Sequence, residues 1–212
     1  RLLPRPARGG SALDAEAVHA ALEALRASFD PRHGGFGGAP KFPHPTDLEL
    51  CLRQGEAGIA TTTLLHMCEG GIYDQLGGGF SRYSVDAEWS IPHFEKMLYD
   101  NGPLLALLAD AWLVTGNAVF ARCAEDTAGW ILREMQSAEG GYFSSLDADS
   151  EHEEGKYYVW DADEVRALLT GEEWEAVAPH YGLGGPPNFE ERHWHVRVAR
   201  PLRAGGEPLL AA

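Results

Sequence analysis

The sequence predicts an all-α fold, a partial (α/α) toroid of stacked helical hairpins with a few short β-strands in its loops. Three observations predict it. Apolar residues recur at helical spacing through most of the chain. Three glycine-aromatic segments (34–43, 70–83 and 140–145) each follow a helical stretch. Those loops are long, whereas an up-and-down bundle needs short loops at both ends. Three unrelated turns are the alternative, since glycine followed by an aromatic is common, but their regular placement favours a repeat.

Residues 1–12, rich in Pro, Gly and Arg, form an N-terminal arm or linker. Ser11 and Asp14 have capping spacing for a helix over 13–29 with Val18, Leu22, Leu25 and Phe29 on one face. Asp30-Pro31 stops it. Thr46 and Glu49, after Pro45, form a second capping box for a helix bearing Leu48, Cys51 and Leu52. Its partner carries Ile59, Thr63, Leu64, Met67 and Cys68. Ser90 and Pro92 open a helix running through His93, Phe94, Met97 and Leu98 to Asp100, kinked or restarted at Gly102-Pro103 and continued by Leu104, Leu107, Leu108, Ala111 and Trp112. Phe120, Cys123, Thr127, Ile131 and Met135 mark its partner. Residues 156–160 read as a short strand, Asp161 and Glu164 cap a short helix, and another helix holds Trp174 and Val177. The toroid domain is assigned to 13–190 and an irregular tail to 191–212, with one strand near 193–198.

The net charge of −15 repels phosphate backbones, so no nucleic-acid partner is expected. No apolar run approaches the ~18 residues that span a bilayer, so no membrane partner is expected either. Cys51, Cys68 and Cys123 lack metal or redox spacing and read as small buried hydrophobes in a reducing, cytoplasmic compartment. No zinc pattern, Walker loop or Rossmann fingerprint occurs, so neither metal nor cofactor is expected. The chain starts at Arg1 without a signal segment, which suggests a piece of something longer.

The densest chemical constellation runs from Arg82 to Asp100. On the expected helix, His93, Lys96 and Asp100 share one side and Glu95 and Tyr99 a neighbouring one. An imidazole at the positive end of a helix stays neutral and able to take a proton, and a carboxyl beside it completes acid/base equipment. Asp147 and Asp149, after the third loop, supply further carboxylates for sugar hydroxyls, a hard cation or catalysis. His152 stands where an EF-hand loop needs glycine. Glu153 and Glu154 read as merely exposed. The catalytic candidates are therefore His93, Glu95, Asp147 and Asp149. Arg82, Tyr83, Trp89, Tyr99 and Asp74 are candidates for holding substrate. The bland alternative is a set of solvated charges with Asp74 capping a turn and the aromatic rings in the core. His180, His193 and His195 have no metal-like partners nearby in sequence.

The runs GGFGGAPKFPHP (34–45), GGIYDQLGGGFSRYSVDAEWSIPHFEKMLYDN (70–101) and GGYFSSLDADSEHEEGKYYVW (140–160) closely resemble the thioredoxin-domain-containing, spermatogenesis-associated-protein-like family. The resemblance implies a six-hairpin (α/α) toroid similar to N-acylglucosamine 2-epimerases and six-hairpin glycosidases, preceded in the family by a thioredoxin-like domain. It implies fold more firmly than activity. A carbohydrate or small polar ligand is the expected partner. About half the hairpins of a closed toroid are present, so self-association through uncovered helix faces is expected too. The stretch Glu191-Arg192-His193-Trp194 departs from the family, which usually continues with Gly after Phe189-Glu190.

Overall fold

The computed structural model describes residues 15–200. Seven α-helices carry the architecture among these residues, and every strand is two residues long. Helix α1 (Ala15–Ser28) leads into the hairpin α2 (Pro45–Arg53) and α3 (Ala57–Glu69). The second hairpin is α4 (Leu98–Thr115) and α5 (Ala118–Trp130), and α5 runs on as a π-helical turn over Ile131–Met135. Leu48, Leu64, Met67, Leu104, Leu108 and Phe120 sit in one core shared by both hairpins. Two shorter helices, α6 (Ala162–Leu168) and α7 (Gly171–Tyr181), frame a smaller cluster of Ala178, Tyr181, Leu183 and Val196.

Several local expectations need correction. The Ser11/Asp14 cap lies outside the described residues. The Thr46/Glu49 box does not form: α2 starts at Pro45 behind a left-handed His44 (φ 46°) with no side-chain cap. Proline's missing N–H costs nothing at a first helical position, which is orphaned anyway. Capping boxes do not fail everywhere, because Thr170 and Glu173 close one at the start of α7. Asp161 accepts from the Asp163 N–H at the start of α6. Helix α4 runs through Gly102-Pro103 without a restart.

The largest correction concerns residues 90–97, which are extended rather than helical. Asp86 takes their first backbone donors: its carboxylate accepts from the N–H groups of Glu88, Ser90 and Ile91 at 2.7–2.9 Å. Strand β2 (Pro92–His93) then pairs antiparallel with β1 (Tyr83–Ser84), and β3 (Lys96–Met97) with β4 (Ser145–Leu146). Tertiary pairing satisfies the backbone groups that a helix would have bonded internally, so local helical pattern loses.

The repeat signal has a physical basis. In the first loop the Asp30 N–H donates to Gly35 O and the Gly34 N–H to Asp30 O. Asp30 Oδ1 accepts from the N–H groups of Arg32 and His33, and Lys41 Nζ bonds Asp30 Oδ2 at 2.8 Å and Gly34 O at 2.9 Å. The second loop repeats each contact. The Asp74 N–H donates to Gly79 O, and the Gly78 N–H to Asp74 O. Asp74 Oδ1 accepts from Leu76 and Gly77, and Lys96 Nζ bonds Asp74 Oδ2 and Gly78 O, both at 2.8 Å. Each lysine lies buried over an indole, Lys41 over Trp89 and Lys96 over Trp130. A Cβ on Gly35 would stand 2.6 Å from the Trp89 ring, and one on Gly79 2.7 Å from the Trp130 ring. Both glycines have positive φ, so the position excludes side chains twice over.

Successive loops are also stitched together. Lys41 bridges to Ser84 at the end of the second loop, and Lys96, which follows that loop, pairs with Leu146 at the end of the third. The three glycine-aromatic turns therefore meet at one end of the hairpins. The third turn is a reduced copy, with Ser137 donating its N–H to Gly141 O where the others have aspartate. Lys156, which follows it, is exposed and pairs with Glu151 and Glu153. The segment read as an irregular tail carries β8 (Trp194–His195), which pairs with β7 (Val159–Trp160).

Candidate functional site

An extended segment sends alternate side chains to opposite faces. In 93–96 this sorts chemistry from structure. Phe94 and Lys96 are buried on one side: Phe94 stacks on Tyr158 at 5.5 Å and meets the His195 ring edge-on at 5.0 Å. His93 and Glu95 face the other way and are about a quarter open.

On that open face, His93 Nδ1 lies 2.6 Å from Glu154 Oε1. A carboxylate only accepts, so Nδ1 is the nitrogen that donates in this contact, and it fixes the orientation of the ring. Nε2 stands 3.9 Å from Glu95 Oε2, beyond hydrogen-bond reach. Arg82 holds Glu95 from the other side, Nη1 to Oε2 at 2.9 Å, and the Arg82 N–H donates to Glu95 O. Glu95 and the Tyr99 hydroxyl raise the Arg82 guanidinium further above its ordinary value. Tyr83 stacks on His93 at 5.1 Å and Phe42 on Tyr83 at 4.8 Å, forming an aromatic wall.

Asp100 adds a carboxyl in the first turn of α4. It is only 8% exposed, and its Oδ2 has no hydrogen-bond partner. Burial pushes it up to about 6, with Glu95 adding to the rise and Arg82 opposing it.

The predicted residues divide. His93, Glu95, Arg82 and Tyr83 come together, and Tyr99 is beside Arg82 and exposed. Asp147 and Asp149 are exposed in the neighbouring hairpin, with Asp147 Oδ1 accepting from the Asp149 N–H at 3.2 Å. Strand β5 (Asp149–Ser150) places Asp149 opposite Glu154 of β6 (Glu153–Glu154), so this hairpin delivers the carboxylate that orients His93. His93 itself is on a strand, not at a helix start, and takes no orientation from a helix dipole.

Two substrate candidates are structural instead. Trp89 is fully buried, and its indole N–H donates to His33 O at 2.9 Å, so no ligand reaches its ring. Asp74 is the loop brace already described. Burial pushes its carboxyl up, but Lys96 and the N–H groups of Gly77 and Leu76 outweigh this and hold it below the ordinary value. Its outer edge lines a separate cavity of about 480 Å³ with Tyr158, Trp160 and His195.

Sequence reasoning missed Glu154, Asp100 and the anchoring role of His195. Glu154 had no local signal, because only the β5–β6 turn brings it to His93. Asp100 was visible on the same pattern as His93 but was not singled out. His195 is buried, with Nε2 2.6 Å from Gly71 O, and burial lowers its basicity. The three cysteines are free and buried, as their apolar setting suggested.

No family model matches the chain. It is 38% identical over 194 residues to spermatogenesis-associated protein 20 of Mus musculus, covering 79% of this chain and 25% of that protein. Against the Homo sapiens protein of the same name it is 37% identical over 188 residues, 76% of this chain and 24% of the other. An uncharacterized protein of Caenorhabditis elegans is 36% identical over 187 residues, 79% of this chain and 26% of the other. The chain thus spans about a quarter of the length of these relatives. Among solved structures, a sugar epimerase from a ruminal bacterium superposes with TM-score 0.54 at 12% identity, over 78% of this chain and 55% of that one. Cellobiose 2-epimerase from Spirochaeta thermophila gives 0.52 at 21% identity, over 62% of this chain and 39% of that one. At such identities the likeness concerns fold alone, and the fold is the helical toroid of those epimerases. Helical hairpins, repeated glycine-aromatic loops and the relatives agree: over the segment it spans, this chain belongs to the spermatogenesis-associated-protein-like family, as its epimerase-like toroid part.

Proposed function

We propose that this segment forms the sugar-binding face of a carbohydrate-active toroid that works by acid/base chemistry, of the epimerase kind before the glycoside-hydrolase kind. The observation that carries the reading is the His93–Glu154 contact, which orients the imidazole with Nε2 toward Glu95 and its ring on Tyr83. An oriented neutral imidazole suits removal of a proton from carbon next to a sugar carbonyl. In this reading His93 is the base, Arg82, Tyr83 and Tyr99 hold hydroxyls or the ring, and Glu95, Asp147 and Asp149 serve as acid/base or hydroxyl-binding carboxylates. The epimerase names of the fold neighbours supply the substrate class.

The test is calorimetric titration of cellobiose and N-acetylglucosamine into the wild-type chain and into His93→Ala. Heat with wild type and none with the variant is expected. No heat with either sugar counts against the reading.

One observation favours a second reading, a non-catalytic scaffold supporting a separate thioredoxin-like domain. Buried Lys41–Asp30 and Lys96–Asp74 pairs show that polar side chains here brace loops. If Glu95 is also only a brace, Glu95→Gln lowers the melting temperature. If it is catalytic, stability is unchanged or rises.

A further inference from the structure

The cavity beside Asp74 lies behind the segment that carries His93. Phe94 and Lys96 point away from the open face, and both reach the Tyr158 ring, Phe94 by stacking at 5.5 Å and Lys96 with Nζ 5.0 Å from the ring centre. Tyr158 in turn lines the cavity of about 480 Å³, and no side chain of the His93 face does. Three stretches of chain supply most of its wall. The second loop gives Asp74, the π-helical turn after α5 gives Arg133 and Glu134, and the stretch through β7 gives Tyr157, Tyr158 and Trp160. A π-helical turn is rare and recurs at functional sites, and this one brings a guanidinium and a carboxylate to the cavity together. A volume in the range of roughly 300–1,000 Å³, with ring walls and a few polar groups, is what small-molecule sites have.

The wall carries both signs of charge in fixed places. Arg133 donates from Nη2 to Gly77 O at 2.8 Å, and from Nε and Nη2 to Glu134 Oε1 at 3.2 and 3.0 Å. Nη1 is left as a donor and Glu134 Oε2 as an acceptor, side by side on two groups that hold each other. Toward Tyr158 the cavity is negative, since Asp74 and Glu134 both act on its phenol and, with burial, push it up. Apolar surface completes the wall: Tyr157 meets Tyr158 edge-on at 5.1 Å, and Tyr157 and Leu76 are 69% and 59% exposed although both line the cavity. We infer that this cavity binds a free α-amino acid with an apolar or aromatic side chain. Its carboxylate bonds Arg133, its ammonium bonds Glu134 Oε2, and its side chain packs on Tyr157 and Leu76. Ammonium and carboxylate sit on one carbon in such a ligand, which matches the adjacent donor and acceptor, and charge-assisted bonds of this kind are the strong ones. A peptide does not offer both charges at one carbon, and an anionic ligand meets two carboxylates in the wall and a chain of net charge −15. The site takes no part in the acid/base reading of the His93 face and stands or falls separately from it.

The experiment maps backbone amide shifts by NMR at pH 7 while L-phenylalanine or L-leucine is added to wild type, Glu134→Gln, Tyr157→Ala and His93→Ala, each with its melting temperature recorded. Saturable shifts at Gly77, Arg133, Glu134 and residues 157–160 are expected in wild type and unchanged in His93→Ala, with a Kd of about 1 mM. N-acetylphenylalanine lacks the ammonium and phenylalanine amide lacks the carboxylate, so each should bind at least tenfold more weakly. Glu134→Gln and Tyr157→Ala should weaken phenylalanine at least fivefold while melting within a degree or two of wild type, because both side chains are partly or mostly exposed. Methyl β-D-glucopyranoside, a neutral ring of hydroxyls, should leave these amides unmoved. Absence of saturable shifts there with both amino acids overturns the inference and leaves the sugar reading of the His93 face standing. Equal binding of the acetylated or amidated analogue, or of phenylalanine by Glu134→Gln and Tyr157→Ala, overturns it as well, and so does tighter binding of the glucoside at these residues.

Discussion

The residues that define the open face differ in how they respond to ionisation. Asp100 is held above its ordinary value of 3.8, at about 6. A carboxyl raised on folding contributes stability that is present below pH 4 and lost as pH climbs through 6. Asp100→Asn cannot ionise, so it should gain stability over wild type above pH 6, by up to about 3 kcal/mol, and gain nothing at pH 4. Paired thermal melts at pH 4 and pH 7.5 measure this. Glu154 offers a second check at this scale. Glu154→Gln can present its amide donor to Nδ1, which puts the proton of a neutral ring on Nε2 and removes the carboxylate that orients the ring. The expected result is weaker sugar binding in the calorimeter with a melting temperature within a degree or two of wild type, since the carboxylate is half exposed and such pairs contribute ~0–1 kcal/mol.

At the scale of single elements, the loop braces dominate. Lys96 is buried between Trp130, Tyr158 and Asp74. Burial depresses its ammonium, and Asp74 restores part of the loss. Removing one partner strands the other charge, so Lys96→Met or Asp74→Asn should each cost about 3–5 kcal/mol. Urea unfolding would show this as a lower midpoint with unchanged slope. Because a depressed aspartate stabilises above its unfolded value, the Asp74 contribution should disappear only as pH falls below about 4. The elements also show what was readable in sequence. Amphipathic helices such as α2, α3 and α5 followed from their apolar spacing, because their cores are built from residues three and four apart. The segment 90–97 was not readable, since its fate depends on Asp86 capturing three local N–H groups and on pairing with residues 83–84 and 145–146. Half of the open face was legible as a cluster, in His93, Glu95, Arg82 and Tyr83. Glu154 was not, because it is 61 residues from His93 and arrives by way of a hairpin with no periodic signal.

For the whole molecule, the loop end and the helix backs pose different questions. The loop end is stitched, while Trp112, Leu113 and Val114 at the end of α4 leave apolar surface open, Leu113 being 74% exposed. No helix among the described residues is long and apolar enough to cross a membrane. The proposed self-association through such faces predicts a concentration-dependent dimer in size-exclusion chromatography, shifted to monomer by Leu113→Glu. A monomer at every concentration, in wild type and variant alike, would remove that proposal.

Serine at position 137, where the other two loops have aspartate, has a mechanical consequence. Two loops are bolted by an ammonium seated on an indole, and the third is held by backbone bonds, its own and those to α4 and β3. Native-state amide exchange should therefore be faster in the third loop and in the hairpin after it than in the first two loops, and that hairpin carries Glu154, the group that steers the imidazole.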